Sequence, residues 1–228
     1  MGRNFRRLIG CLCWFSSRLA KASISFSMAN PPAYDFICNG TNMTANLLSP
    51  PMVEPVSLAD IKAFLKLDSD AEDDLLRAFI SSARVHLEHL TGRQFITQTW
   101  RVLLDGDLGR RISLPLQPVS NIVSAAILSE DGDLLSLATE SFALYQSHNP
   151  ALIVNSGGML LTAGQRLQLD LETGYGPSDE DVPMPLKQAL KMIVAEWYER
   201  RLIADPTQLP TLAKALQPLV NPYKTIRL

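Results

Sequence analysis

The stretch that decides the fold is Asp73-Asp-Leu-Leu-Arg-Ala-Phe-Ile-Ser-Ser-Ala-Arg-Val-His-Leu-Glu-His-Leu-Thr-Gly-Arg-Gln-Phe-Ile96. Leu75, Leu76, Phe79, Ile80, Ala83, Leu87 and Leu90 recur at spacings of three and four. That period puts them on one stripe of an amphipathic helix over about 71–90. Gly92 stands where a left-handed cap residue is wanted. Beyond it the period changes. Phe95, Ile96, Trp100, Val102 and Leu104 belong to β-prone runs that Gly106 and Gly109 punctuate.

On the N-terminal side, Ser57 is a helix cap for a short segment over about 58–67, with Leu58, Ile61, Phe64 and Leu65 on one side. Residues 29–55 are rich in Pro, Asn, Ser and Thr and lack periodicity. They read as linker, so regular structure is expected only after Pro55. On the C-terminal side, Ile112-Ser-Leu-Pro-Leu-Gln-Pro-Val is an extended edge or crossover, because two prolines cannot donate to a ladder. Strands are expected over 121–128 and 134–137, joined by the turn Glu130-Asp-Gly-Asp. Further strands are expected over 142–146, 151–155 and 166–173. A second long helix starts at Val182-Pro-Met-Pro, where proline is tolerated, and carries Leu186, Leu190, Ile193, Val194, Trp197 and Tyr198. It should fail near Asp205-Pro, and a shorter helix over about 210–219 precedes an extended end.

The fold class expected from this layout is α+β: a helical bundle of long amphipathic helices with an inserted small antiparallel β-sheet or sandwich. The helices fall at about 57–91 and 183–220, and the β region at about 94–174. Residues 1–51 read as a disordered or non-native N-terminal extension, and residues 52–228 as the folded domain.

A net charge of −2 makes no demand for a nucleic-acid or anionic-membrane partner. The cysteines, Cys11, Cys13 and Cys38, all lie in the first forty residues and build no disulfide framework, which suits a reducing compartment. Residues 1–21 carry Arg3, Arg6 and Arg7 before an apolar run at 8–15. That run is short for a signal peptide and far short of a membrane span. A start codon placed too early, an export signal and a disordered tail all stay open; Met28, Met43 and Met52 are downstream candidates.

Catalytic motifs are lacking. Asp68-Ser-Asp-Ala-Glu-Asp-Asp has Asp73 where a calcium loop needs Gly and Phe79 where it needs Glu, so it reads as a helix start favoured by the macrodipole. His86 and His89 stand three apart, not at the zinc-protease spacing of four, and lack a third ligand. Gly157-Gly158 and Gly174-x-Gly176 are turn glycines without the rest of a phosphate or dinucleotide loop. No catalytic, metal or cofactor residue is therefore assigned. Glu196-Trp-Tyr-Glu-Arg-Arg holds the residue types enriched in protein–protein hot spots. Core packing of Trp197 and Tyr198, with Arg200 and Arg201 at a helix C-terminus, is the equally weighted reading.

At these residues the chain resembles the phage gp6-like (phiE125 gp8-like) head–tail connector proteins, including adaptors of gene transfer agents. The resemblance rests on Glu54-Pro-Val-Ser-Leu-Ala-Asp-Ile-Lys-Ala-Phe-Leu-Lys-Leu-Asp, Thr91-Gly-Arg-Gln-Phe-Ile-Thr-Gln-Thr-Trp, Leu114-Pro-Leu-Gln-Pro-Val, Gly174-Tyr-Gly, Glu196-Trp-Tyr-Glu-Arg-Arg and Pro222-Tyr-Lys. It runs from about Glu54 to Leu228. It implies a structural adaptor of about twelve copies, a ring of heterologous contacts beneath the portal protein. Such a ring would link the portal to a stopper or tail-completion protein at the neck of a virion or phage-like particle assembled in the bacterial cytoplasm. DNA would pass through without sequence-specific contact, and neither catalysis nor membrane is involved. A subunit can be monomeric before docking. The candidate portal or subunit interface is Trp197, Tyr198, Arg200, Arg201, Tyr223, Lys224, Ile226 and Arg227. Two rivals stand beside it: an exported binding protein using residues 1–21 as signal, and a small hydrolase with an unrecognised site near His148 or Asp170.

Overall fold

The computed structural model describes residues 34–38, 41–106, 110–114, 116–146, 150–158, 160–200 and 209–224, with side chains from 42 onward and, in the last helix, from 214. The order of elements is β1 (Tyr34–Cys38), β2 (Thr41–Ser49), α1 (Leu58–Leu65), α2 (Asp73–Thr91), β3 (Gln98–Asp105), β4 (Arg111–Ser113), β5 (Val119–Leu128), β6 (Leu134–Leu137), β7 (Phe142–Tyr145), β8 (Leu152–Asn155), β9 (Arg166–Thr173), α3 (Met184–Arg200) and α4 (Leu209–Val220).

This is not a helical bundle with a small inserted sheet. Among the described residues nine strands make a six-stranded antiparallel sheet, ordered β1-β2-β3-β9-β5-β6, and a three-stranded one, β4-β8-β7, which together match the helices in extent. Of the four helices only α2 and α3 are long. The reason lies in how the two kinds of element bury surface. On β3 every second residue is buried, and Trp100, Val102 and Leu104 face Leu171, Leu169 and Leu167 of β9. Each strand contributes only a few core residues, but the rows continue across the sheet. Ala45, Val102, Leu169 and Ala125 form one such row. The sheet is thus assembled from contacts distant in sequence, which short strands do not advertise. The helices bury their stripes in a separate cluster of Ile61, Leu76, Ile80, Leu87, Leu190, Ile193 and Leu216.

A second correction concerns the stretch 29–55. It is not linker throughout, for it contains β1 and β2, and β2 lies between β1 and β3 in the sheet. Met43 and Ala45 are buried in the sandwich core. The extended end expected after Val220 instead opens with a 3-10 turn, Asn221–Tyr223.

Local signals hold where the backbone alone decides. The Ser57 hydroxyl accepts from the Asp60 N–H at 3.1 Å and starts α1. Gly92 closes α2 at φ 70, its N–H bonded to the Glu88 carbonyl. Gly174, directly after β9, adopts φ +129 and lies so close to the Ile96 carbonyl that a Cβ would stand 2.6 Å from it. Gly174→Ala is therefore expected to lower stability by roughly 2–3 kcal/mol, through backbone strain and displacement of the segment after α2. A urea midpoint unchanged by the substitution would show that this approach is relaxed in solution.

Candidate functional site

Trp197 and Tyr198 lie on the last turns of α3, both half-buried. Trp197 packs edge-on against Phe79 and His86 of α2, with ring centroids 6.2 and 6.1 Å away. The Tyr198 hydroxyl donates to the Glu72 carboxylate at the start of α2. Arg200 pairs with Glu196 one turn back. Beside them opens a groove of about 320 Å³, lined by Phe64 of α1, Met192, Ala195, Glu196, Glu199 and Arg200 of α3, and Ala215 of α4. Its walls are apolar, and its rim carries charge of both signs.

Tyr223 lies elsewhere. Its backbone carbonyl accepts from Arg93 Nε at 2.6 Å, just past the other end of α2. Tyr198 and Tyr223 thus bond to residues at opposite ends of α2, while Trp197 packs along its middle. Lys224, half-buried, follows Tyr223. Arg201, Ile226 and Arg227 lie outside the described residues, as does His148.

The acidic stretch 68–74 is organised by a lysine. Asp70 and Asp73 both pair with Lys62 of α1 and hold its ammonium above the ordinary range. Asp170 is committed as well. Arg101 grips its carboxylate with two bonds of 2.8 and 2.9 Å, and Ser124 donates a third of 2.9 Å. Burial alone would raise the Asp170 carboxyl, but the bonds from Arg101 and Ser124 outweigh it and hold the group below its usual value. These partners make Asp170 a tie across β3, β9 and β5.

The sequence reading missed a buried polar hub on α2. Glu88, 7% exposed, takes the Arg84 guanidinium on one oxygen at 3.0 Å. Its other oxygen accepts from the Phe95 N–H at 2.9 Å and the Gln98 side-chain amide at 3.2 Å. Arg84 also reaches Glu54, ahead of α1. Burial pushes the Glu88 carboxyl up against the opposing pull of Arg84. Arg84 and Glu88 stand one turn apart on the same face as Ile80 and Leu87, the one signal that could have exposed them.

Residues 55–127 match the family described as "Phage gp6-like head-tail connector protein". Over that segment the chain is similar to the phage gp6-like head–tail connector family. The matched segment runs from α1 into β5 and contains the hub between α2 and β3. No curated protein sequence is significantly similar to this chain. Three solved chains share its fold. One, from the "Neck of empty GTA particle computed with C6 symmetry", has a TM-score of 0.70 at 23% identity, covering 81% of this chain and 96% of that one. Another, from the "Virion of native gene transfer agent (GTA) particle", has a TM-score of 0.66 at 21% identity, with coverage of 81% and 96%. A third, from the "Neck of native GTA particle computed with C12 symmetry", has a TM-score of 0.61 at 22% identity, with coverage of 80% and 97%.

Proposed function

We propose that the connector is a structural head–tail adaptor, sited in the neck of a tailed phage, prophage or gene transfer agent particle. The observation that carries this reading is the match over residues 55–127, joined to a fold shared over four-fifths of the chain with proteins of such necks. The symmetry given for those particles supports a closed ring, in which one face of each copy meets a different face of the next. About twelve copies would sit beneath the portal protein and present a platform to the stopper or tail-completion protein. DNA passes through the ring without sequence-specific contact, and the work done is attachment, not turnover.

In this reading the interface has two parts. The groove at the end of α3, with Arg200 on its rim, offers an apolar seat for a neighbour. The chain end beyond Tyr223, with Ile226 and Arg227, offers an apolar contact and a fork donor to the portal. Because the Tyr223 carbonyl is bonded to Arg93, the cleanest test deletes residues 225–228 only. The shortened chain is expected to fold with an unchanged melting temperature and to load onto portal-containing heads about tenfold less well. Normal occupancy in electron micrographs of those heads would remove the tail from the portal contact.

A further inference from the structure

The six-stranded sheet ends on β6, a four-residue strand of sequence Leu-Leu-Ser-Leu. Its first two leucines are 58% and 62% exposed. Proteins usually blunt an edge strand with charge, proline or a covering element, because its open row of backbone groups recruits other chains. Here the strand itself carries none of these. The turn leading into it is another matter: Glu130, Asp131 and Asp133 are exposed and form no ion pair among the described residues. Residues 112–165 contain four carboxylates and not one Lys or Arg. The β6 edge is therefore an apolar strip entered by an acidic turn.

An edge of the second sheet has the opposite sign. β4 is that edge, with β8 between it and β7. Arg110 and Arg111, at its start, are exposed and form no ion pair among the described residues. One molecule thus presents an acid-bordered apolar edge on one sheet and two arginines on an edge of the other. Neither patch has an ion-pair partner within the copy among the described residues, and each gains one when the two edges of successive copies meet.

We propose that β6 and the acidic turn 129–133 of one copy dock against the Arg110–Arg111 corner of a second copy, and that this contact, repeated head to tail, closes the ring. The inference rests on the adaptor reading and adds the surfaces that carry it. Opposite charges on the two faces fix the direction of addition, and the leucines supply apolar area that leaves water on contact. Two flanks of the same sign repel, so a reversed subunit is rejected.

The test is a charge swap, read as copies of the connector bound per portal-containing head by quantitative mass spectrometry. One variant carries Glu130→Lys, Asp131→Lys and Asp133→Lys; a second carries Arg110→Glu and Arg111→Glu; a third carries all five. Each single-flank variant is expected to bind at least about tenfold fewer copies, and the five-fold variant to recover most of the wild-type number. All substituted side chains are exposed, so melting temperatures should match the wild type and separate assembly from folding. Wild-type loading of several copies, with single-flank variants equal to it or with no recovery in the full swap, overturns this interface while leaving the ring in place. Wild-type loading of one copy or none overturns the adaptor reading itself.

Discussion

A chain begun at Met52 is expected to melt at least about 10 °C below one begun at Met28. The physical cause is β2. Its residues Met43, Ala45 and Leu47 face Leu104, Val102 and Trp100 across the ladder. Met43 is 1% exposed and Ala45 0%. Starting at Met52 removes both N-terminal strands, uncovers the outer side of β3 and strips one end from three rows of the sandwich core. Burial of a methionine side chain is worth about 2 kcal/mol, and the lost neighbours of Trp100 and Leu104 bring the net deficit to about 4 kcal/mol. In a domain of this size that corresponds to the shift stated. A start at Met28 retains both strands and should melt with the full chain. A start at Met43 removes β1 and the first two residues of β2, and should fall between. Thermal melts of the three truncations decide the point. Agreement of the Met52 and Met28 chains within about 3 °C would mean that β1 and β2 contribute nothing to the fold.

Arg84→Ala and Glu88→Ala are each expected to lower stability by about 3–5 kcal/mol: the first leaves the buried Glu88 charge uncompensated, and the second leaves Arg84 with Glu54 alone and the buried Phe95 N–H without its acceptor. The two losses should not add. With Glu88 gone, Arg84 keeps Glu54 but has lost its buried partner, so removing it next costs less. Glu88→Gln should be milder than Glu88→Ala, since the amide oxygen can still accept from the Phe95 N–H. That bond, together with the one from Gln98, fixes how the chain leaves α2 and enters β3. Urea unfolding of the two single variants, the pair and the conservative variant supplies the cycle. A Glu88→Ala chain within about 1 kcal/mol of wild type would show that solvent enters the hub and compensates it.

The two predictions concern parts of the molecule that differ in how far a sequence can reveal them. The stripe on α2, its Gly92 cap and the Ser57 cap of α1 were readable, because helix period and capping are settled within a few residues. The strand over 166–173 was readable too, its ends marked by Gly164 and Gly174. β2 was not. Thr-Asn-Met-Thr-Ala-Asn-Leu-Leu-Ser alternates small and polar residues with few large apolar ones, so its period hides, and only the waiting edge of β3 selects it as a strand. The candidate interface divides in the same way. Trp197 and Tyr198 belong to a helix whose face was predictable, but the bonds of Tyr198 to Glu72 and of the Tyr223 carbonyl to Arg93 join residues more than a hundred positions apart.

The sequence by itself determined the helices, their caps, the switch to β structure after Gly92, the family resemblance and the absence of a recognisable catalytic motif. Tertiary structure alone decided that the sheets are as extensive as the helices, that Glu88 is a buried hub and which strands form the open edges. The physical reason is range: helix hydrogen bonds join residues four apart, whereas β3 must meet β9 nearly seventy residues away, and no local pattern encodes which partner a strand will find.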